Sequence, residues 1–265
     1  MVLRCMVSET AFESISLDVT DGVATIAFHR PEVYNALNDT VMLDLLRAFD
    51  EIQLDRSIDV VVITGEGDDA FSAGADISQY AGTAEEHDPR QKDRQELFYE
   101  MYRKPFECHA PVIAKINGYC VGGGLIFAMY CDMRIAVDDA KFGVPVTDIG
   151  QIPTGNSTWR AIELVGEAKA KELVYTAGMI GADEAERIGL VNHAVPREEL
   201  DETVTEIVEA IQSTGRSAVK NSKRAFNHAV DAETAEENRE FESDVWWEQF
   251  ATDERERLVD EFNEQ

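Results

Sequence analysis

Cysteine is scarce in this 265-residue chain: Cys5, Cys108, Cys120 and Cys131 are all it has, and none falls in a C-x-x-C spacing. Zinc sites and redox pairs use such spacing, and two of the four lie in apolar runs where a reduced thiol behaves as a small hydrophobe, so neither a disulfide nor a metal is expected. Long hydrophobic runs are missing too. No window reaches the roughly 18 uncharged apolar residues of a membrane span. The start, Met1 to Thr10, lacks the apolar run and cleavage site of a signal peptide, and a cytoplasmic protein is expected. Basic residues are few: 24 Lys+Arg, only eight of them Lys, face 52 Asp+Glu for a formal charge of −28. Such a field repels nucleic acid and anionic membranes, so neither is an expected partner, and a phosphate-bearing ligand needs a local exception. The nucleotide motifs are absent as well. Gly122-Gly123-Gly124 lacks the G-x-G-x-x-G spacing, no P-loop occurs, and Ser72 sits one glycine short of a nucleophile elbow, which argues against a serine hydrolase. His109 and His193 have no paired metal spacing and read as structural turn residues.

What is present is the composition of a globular protein, 44% hydrophobic and 29% charged, long enough to bury a sizeable core. Ser14 to Val19 alternates polar and apolar, Asp21-Gly22 follows, and Val23 to Phe28 resumes: a hairpin signal. After Arg30-Pro31, Asn38 or Asp39 caps a predicted helix whose Val41, Leu45, Phe49 and Ile52 recur at helical spacing. Val60 to Ile63 reads as a buried strand leading through Ala73-Gly74-Ala75 into a short helix. About 50 residues later the pattern recurs, with strand Val112 to Ile116, turn Asn117-Gly118, and Gly122-Gly123-Gly124 opening a helix Leu125 to Tyr130. Two such units predict a βαβ-type layered core with both helix starts on one side, where ligands favour binding. Residues 81 to 96 are polar and charged, either a solvated loop or the wall of a binding site. From about Pro196 onward the pattern is helical, and residues 231 to 265 carry 14 acids against three arginines. Phe241, Trp246, Trp247, Phe250 and Phe262 persist there, which points to packing against another subunit.

Backbone N–H groups at helix starts stabilise developing negative charge without reorganisation, provided the ligand approaches the main chain closely. The small residues Ala73-Gly74-Ala75 and Gly122-Gly123-Gly124 allow that approach, although either motif alone reads equally well as a tight turn. Seven ordered segments carry more. They are Arg30-Pro31 with Asn35-Ala36-Leu37-Asn38, Phe71 to Ile77, Asn117-Gly118 to Gly124, Cys131-Asp132, Ala140-Lys141-Phe142-Gly143 with Pro145, Gly150 with Pro153, and Gly189-Leu190-Val191. Through them the chain resembles the enoyl-CoA hydratase/isomerase (crotonase) family over nearly its whole length. The resemblance implies an α/β fold, a spiral of ββα units binding acyl-CoA over residues 1–195. It also implies a C-terminal helical region, 196–265, used for homotrimer contacts, commonly in hexamers of two stacked trimers. It further implies an oxyanion hole from the backbone N–H groups of Ala75 and Gly123, and the CoA adenine near Ala73, Asp76, Ile77 and Ser78. The segment Arg30 to Asn38, with Arg30 and Ala36, would line the CoA site. No cofactor is implied beyond the CoA moiety of the substrate.

The chain departs from the family at the acid–base residues. In family hydratases one glutamate lies two positions after the glycine triplet and another follows the Phe-Gly-x-Pro proline; here Ile126 and Val146 stand there. Aliphatic side chains neither take a proton from water nor give one to the α-carbon. Asp148 is the nearest carboxylate in sequence, and on an extended segment it would share the face of Val146; it reads otherwise as a surface aspartate. A related isomerase carries a catalytic aspartate at the place of Thr154, so Thr154 and the following Gly155 to Thr158 are candidates for the acyl pocket. Glu85, Glu86 and His87 lie in a region from which family members recruit catalytic groups, or are solvated loop residues. Arg30, Lys220, Lys223 and Arg224 are candidate partners for the CoA phosphates, or surface charges.

The expected function is therefore an acyl-CoA enzyme that stabilises a thioester enolate, with decarboxylation of a malonyl-type CoA and a non-catalytic CoA-thioester scaffold as alternatives. The acids are spread through the chain in the manner of a salt-adapted surface, and at molar salt a Debye length of about 3 Å screens their mutual repulsion. The melting temperature is expected to rise between dilute and molar KCl; an unchanged value identifies an ordinary acidic protein.

Overall fold

The computed structural model describes residues 12–80 and 89–264. Strands β1 (Ile15–Thr20) and β2 (Val23–Phe28) form the expected hairpin, closed at the Thr20 and Val23 pair. Both turn residues take positive φ, 50° at Asp21 and 79° at Gly22, the backbone that suits a two-residue hairpin. Helix α1 (Asp39–Leu54) is capped by Asn38, whose side chain accepts the Val41 N–H at 2.9 Å. Its apolar stripe, Val41, Leu45, Phe49 and Ile52, is almost wholly buried, and each such side chain contributes about 1.5–3 kcal/mol of transfer free energy.

The chain then winds as a spiral in which successive turns give one strand to each of two sheets. β3 (Val60–Gly65), β5 (Val112–Ile116), β7 (Met133–Val137) and β10 (His193–Val195) extend the hairpin sheet in the order β1-β2-β3-β5-β7-β10. In this sheet all pairings after the hairpin are parallel, and β3 is apolar along its length because both faces are covered. β4 (Ala70–Ser72), β6 (Tyr119–Val121), β8 (Lys141–Gly143) and β9 (Ile180–Gly181) make the smaller sheet. Two buried asparagines hold the crossings between sheets. Asn35 donates to Glu66 O and Ala70 O and accepts the Arg30 N–H; Asn117 donates to Gly65 O and Gly67 O and accepts the Gly65 N–H.

Helices α2 (Pro89–Glu107) and α3 (Gly123–Tyr130) pack on one another, and α4 (Ser157–Val165), α5 (Glu167–Tyr175) and α6 (Ala182–Arg187) follow. The polar segment read as reaching residue 96 is helical from Pro89, because Phe98, Met101, Tyr102 and Phe106 recur at helical spacing and bury that face of α2. His193 opens β10 rather than lying in a turn, whereas His109 bonds Gln53 ahead of β5. Cys108, Cys120 and Cys131 are free thiols in the core. Among the described residues, no helix is long and apolar enough to cross a membrane.

After Pro196 the described chain is helical: α7 (Leu200–Gln212), α8 (Arg216–Asp231), α9 (Ala235–Phe250) and α10 (Asp253–Asn263). Phe241 stacks on His228 at 3.9 Å, while Trp246, Trp247, Phe250 and Phe262 are exposed in the single chain. Lys223 anchors α8. Its ammonium group is buried and donates to Pro105 O at 2.7 Å, Ala110 O at 2.9 Å and Asp132 Oδ2 at 2.7 Å. Lys223 is thus a staple and not a phosphate ligand, since all three of its protons are used inside the chain. Lys220 donates to Arg56 O beside Asp59, and Arg224 pairs with Glu248 and Asn221, so they too serve local contacts. Replacing Lys223 by Met strands two carbonyls and weakens the setting of Asp132, which keeps only the Val112 N–H among these donors. Urea unfolding of Lys223→Met in molar KCl is expected to show a loss of about 3 kcal/mol, the lower end for a broken buried pair, because Asp132 is partly exposed.

Candidate active site

Two glycine turns meet at the seam between the sheets. Ser72 ends β4; its hydroxyl donates to Asn35 O at 2.8 Å and accepts the Gly74 N–H at 3.2 Å, which draws the following turn inward. Gly74 has φ of 91°, and a Cβ there would lie 2.7 Å from both Gly123 N and Val121 O. A Cβ on Gly124 would lie 2.4 Å from Ser72 O. The two backbones therefore touch, and only glycine at these positions lets them. Leu37 bridges the first turn, donating to Gly74 O at 2.7 Å and accepting the Asp76 N–H at 2.9 Å, which leaves the Ala75 N–H turned out of that ladder. Gly123 is the first residue of α3, so its N–H has no partner within the helix. Neither the Ala75 nor the Gly123 N–H has an acceptor among the described residues.

Both residues face a cavity of about 590 Å³. Ile77, Ile126, Val146 and Thr154 line it with them, so six of the site residues expected from sequence share one space. Arg30, Ala36, Asp76 and Ser78 come together alongside. Arg30 donates to Ala36 O at 2.6 Å and to Asp76 Oδ2 at 3.2 Å, and the Ser78 hydroxyl donates to Asp76 Oδ1 at 2.6 Å. The Ser78 hydroxyl, aided by Arg30, holds the Asp76 carboxyl below the usual carboxylate range. Ala73 sits in the glycine turn itself, its N–H bonded to Tyr34 O.

Asp148 is not part of the cavity lining. Residues Pro145–Ile149 form a tight helical turn instead of an extended segment, so a side chain two positions after Val146 leaves on another face, and Asp148 is exposed. Of the residues after Thr154, Ser157 and Thr158 line a separate apolar pocket of about 210 Å³. Glu85, Glu86 and His87 lie outside the described residues.

Residues 81 to 96 read from sequence as a solvated loop or the wall of a binding site, and Arg94 and Gln95 from that segment do line the cavity. What sequence reading missed is the continuation of α2 through Phe98 and Tyr102. Arg94, Gln95, Phe98 and Tyr102 form one wall, and Ile149, Gln151 and Ile152 form part of another. The signal available was the apolar spacing of Phe98, Met101, Tyr102 and Phe106, masked by the charged residues before them. Among the described residues the lining holds one cation, Arg94, bonded through Nε to Asp39 at 2.5 Å, and no carboxylate.

A sequence model of the enoyl-CoA hydratase/isomerase family matches residues 18–265. A crotonyl-CoA hydratase of Syntrophomonas wolfei is 39% identical over 223 residues, 84% of this chain and 85% of its own length. A short-chain-enoyl-CoA hydratase of Clostridium acetobutylicum is 38% identical, with 95% of each chain covered. The crystal structure of an enoyl-CoA hydratase from Bacillus anthracis superposes with a TM-score of 0.89 at 32% identity, covering 95% of this chain and 96% of that one. These matches span the glycine turns, both sheets and the C-terminal helices, and the chain belongs to the enoyl-CoA hydratase/isomerase (crotonase) family.

Proposed function

We propose that the chain binds an acyl-CoA and stabilises the enolate of its thioester between the Ala75 and Gly123 N–H groups. The observation that carries this reading is the convergence of two N–H groups, without acceptors among the described residues, on the wall of a cavity large enough for an acyl group. Hydrogen bonds of this kind strengthen as charge moves onto the thioester oxygen, and the positive end of α3 adds to them. The CoA runs past Ala73 to Ser78 with Arg30 and Ala36 beside it. Arg30 is already shared with Asp76, so its pull on a phosphate is modest. The exposed Trp246, Trp247 and Phe250 support a homotrimer or homohexamer built through the C-terminal helices.

The reaction is constrained by what lines the cavity. Hydration by the family route needs one group to take a proton from water and another to protonate the α-carbon, and Ile126 and Val146 do neither. The absence of carboxylates from the lining among the described residues favours a second reading, decarboxylation of a malonyl-type CoA. Loss of CO₂ itself generates the enolate, and an apolar wall disfavours the charged carboxylate relative to neutral CO₂.

Purified protein in molar KCl is to be mixed with crotonyl-CoA, followed by loss of the conjugated-thioester absorbance, and with malonyl-CoA and methylmalonyl-CoA, followed by CO₂ release. Absorbance loss with hydroxyacyl-CoA formation assigns hydration; CO₂ release assigns decarboxylation. With whichever substrate turns over, Ala75→Pro and Gly123→Pro are each expected to lower the rate by about 10²–10³, the usual cost of one lost donor. Folded variants with full activity refute the assigned hole, and tight binding without any turnover makes the protein a CoA-thioester scaffold.

A further inference from the structure

The cavity's polar side chains among the described residues are Arg94, Gln95, Tyr102, Gln151 and Thr154. Four are poor proton donors in water's pH range: a guanidinium gives up its proton only above about pH 12, and amides and alcohols do not titrate there. The phenol of Tyr102 is the exception, the one polar group among them of a type that carries a proton it can give up within water's pH range.

Its position matches that chemistry. A Cβ built on Gly123 would lie 2.7 Å from Tyr102 Oη and 3.2 Å from Ala75 N, so the hydroxyl stands beside the same Cα that the two amides flank. The ring is fixed from two directions. Phe98, one turn earlier on α2, packs against it at 6.0 Å between centroids. Gly155 passes so close that a Cβ there would lie 2.4 Å from Tyr102 Cδ2, and the Gly155 carbonyl is itself held by the Tyr130 hydroxyl at 2.8 Å. Only 3% of Tyr102 is exposed. A buried, immobilised phenol beside an oxyanion hole whose usual carboxylates are aliphatic is placed to do what those carboxylates cannot.

We propose that Tyr102 is a catalytic residue, the donor of the proton that quenches the enolate at its α-carbon. The proposal rests on the enolate reading above. For a malonyl-type CoA, the bond from Cα to the carboxylate breaks, CO₂ leaves, and the electron pair remains as the enolate against Ala75 and Gly123. That pair then takes the Oη proton: a Cα–H bond forms, the O–H bond breaks, and the phenolate recovers a proton from water. For an enoyl-CoA the same donor gives its proton to the α-carbon as water adds at the β-carbon, and the proton shed by the added water returns to the phenolate. In both cases a fixed donor delivers to one face.

The test uses full-length protein in molar KCl and D₂O, with methylmalonyl-CoA and crotonyl-CoA as probes, and reads the configuration of the deuterium-bearing α-carbon together with kcat and KM. Wild type is expected to place deuterium on one face. Tyr102→Phe is expected to lose about 10²-fold or more in kcat with KM little changed, the usual scale for a lost general acid, and to deuterate both faces as solvent takes over. Wild-type kcat with one-face deuteration in Tyr102→Phe overturns the proposal while the oxyanion hole stands. Full activity in Gly123→Pro overturns the enolate reading itself, and a wild type inert to both probes overturns both. Should Tyr102→Phe fail to fold, 3-fluorotyrosine at position 102 keeps ring and hydroxyl but changes the acidity; an altered kcat is then expected, and an unchanged one counts against proton donation.

Discussion

The contact on which the site depends is one of backbone against backbone, the approach of the turn at Gly74 to the turn at Gly122 to Gly124. A Cβ at Gly74 or Gly124 would lie within 2.7 Å of main-chain atoms of the other turn, so the two segments pack at a distance no side chain permits. Everything around them serves that approach. Ser72 ties its strand end to Asn35, Leu37 bridges the first turn, and the parallel pairing of β4 with β6 sets the two turns side by side. Two N–H groups that would otherwise point at water or at a neighbouring carbonyl are thereby delivered together to one cavity. Because those donors belong to the main chain, the oxyanion hole proposed above does not depend on which side chains stand at Ile126 and Val146.

This explains which parts of the site were legible in the sequence. The resemblance named Ala75 and Gly123, and their meeting on one cavity follows from the close approach of two turns, which demands small residues and so leaves a local trace. The hairpin at Asp21-Gly22 and the cap at Asn38 were legible for the same reason: each is a short-range chemical requirement written in adjacent residues. Of the two readings of Asp148 the surface one holds and the shared face with Val146 does not, because that face depended on whether Pro145–Ile149 is extended or coiled, and residue type does not decide that for five residues. Lys223 was misplaced because its partners lie 91 to 118 residues away, beyond any spacing argument. Tyr102 was overlooked because its helix begins with charged residues, and its chemical meaning appears only when Gly123 and Gly155 are brought against it.

The scarcity of cations has a consequence in the interior. Several of the few basic side chains are used as staples rather than left on the surface. Lys223 ties α8 to the loop before β5, and Arg197 donates to Asp68 O and Asn117 O at the seam of the sheets. Arg134 lies buried with its guanidinium turned to the carbonyls of Ala128, Cys131 and Leu190, where burial pulls it down to about 10 and three acceptors keep it satisfied. A chain with 24 cations that spends several of them in this way has few left for recognising phosphate groups. Among the described residues, Arg94 in the cavity lining is paired with Asp39, and Arg30 beside the cavity is paired with Asp76.

In the proposed reading the site separates two tasks that a pair of carboxylates would combine. Charge stabilisation falls to the main-chain N–H groups of Ala75 and Gly123. Proton handling rests with side chains, and there the cavity offers aliphatic groups at Ile126 and Val146 and a phenol from another helix. A phenol and a carboxylate differ in direction: near neutral pH the carboxylate is charged and takes protons, whereas the phenol is neutral and gives them. A reaction whose enolate arises without a base, and which then needs only one proton delivered, matches that inventory. Addition of water needs a base first, and among the described residues this cavity has no carboxylate to provide one. The physical distinction between the two reactions thus reduces to whether anything in the lining can accept a proton, and among the described residues no carboxylate or imidazole lines it.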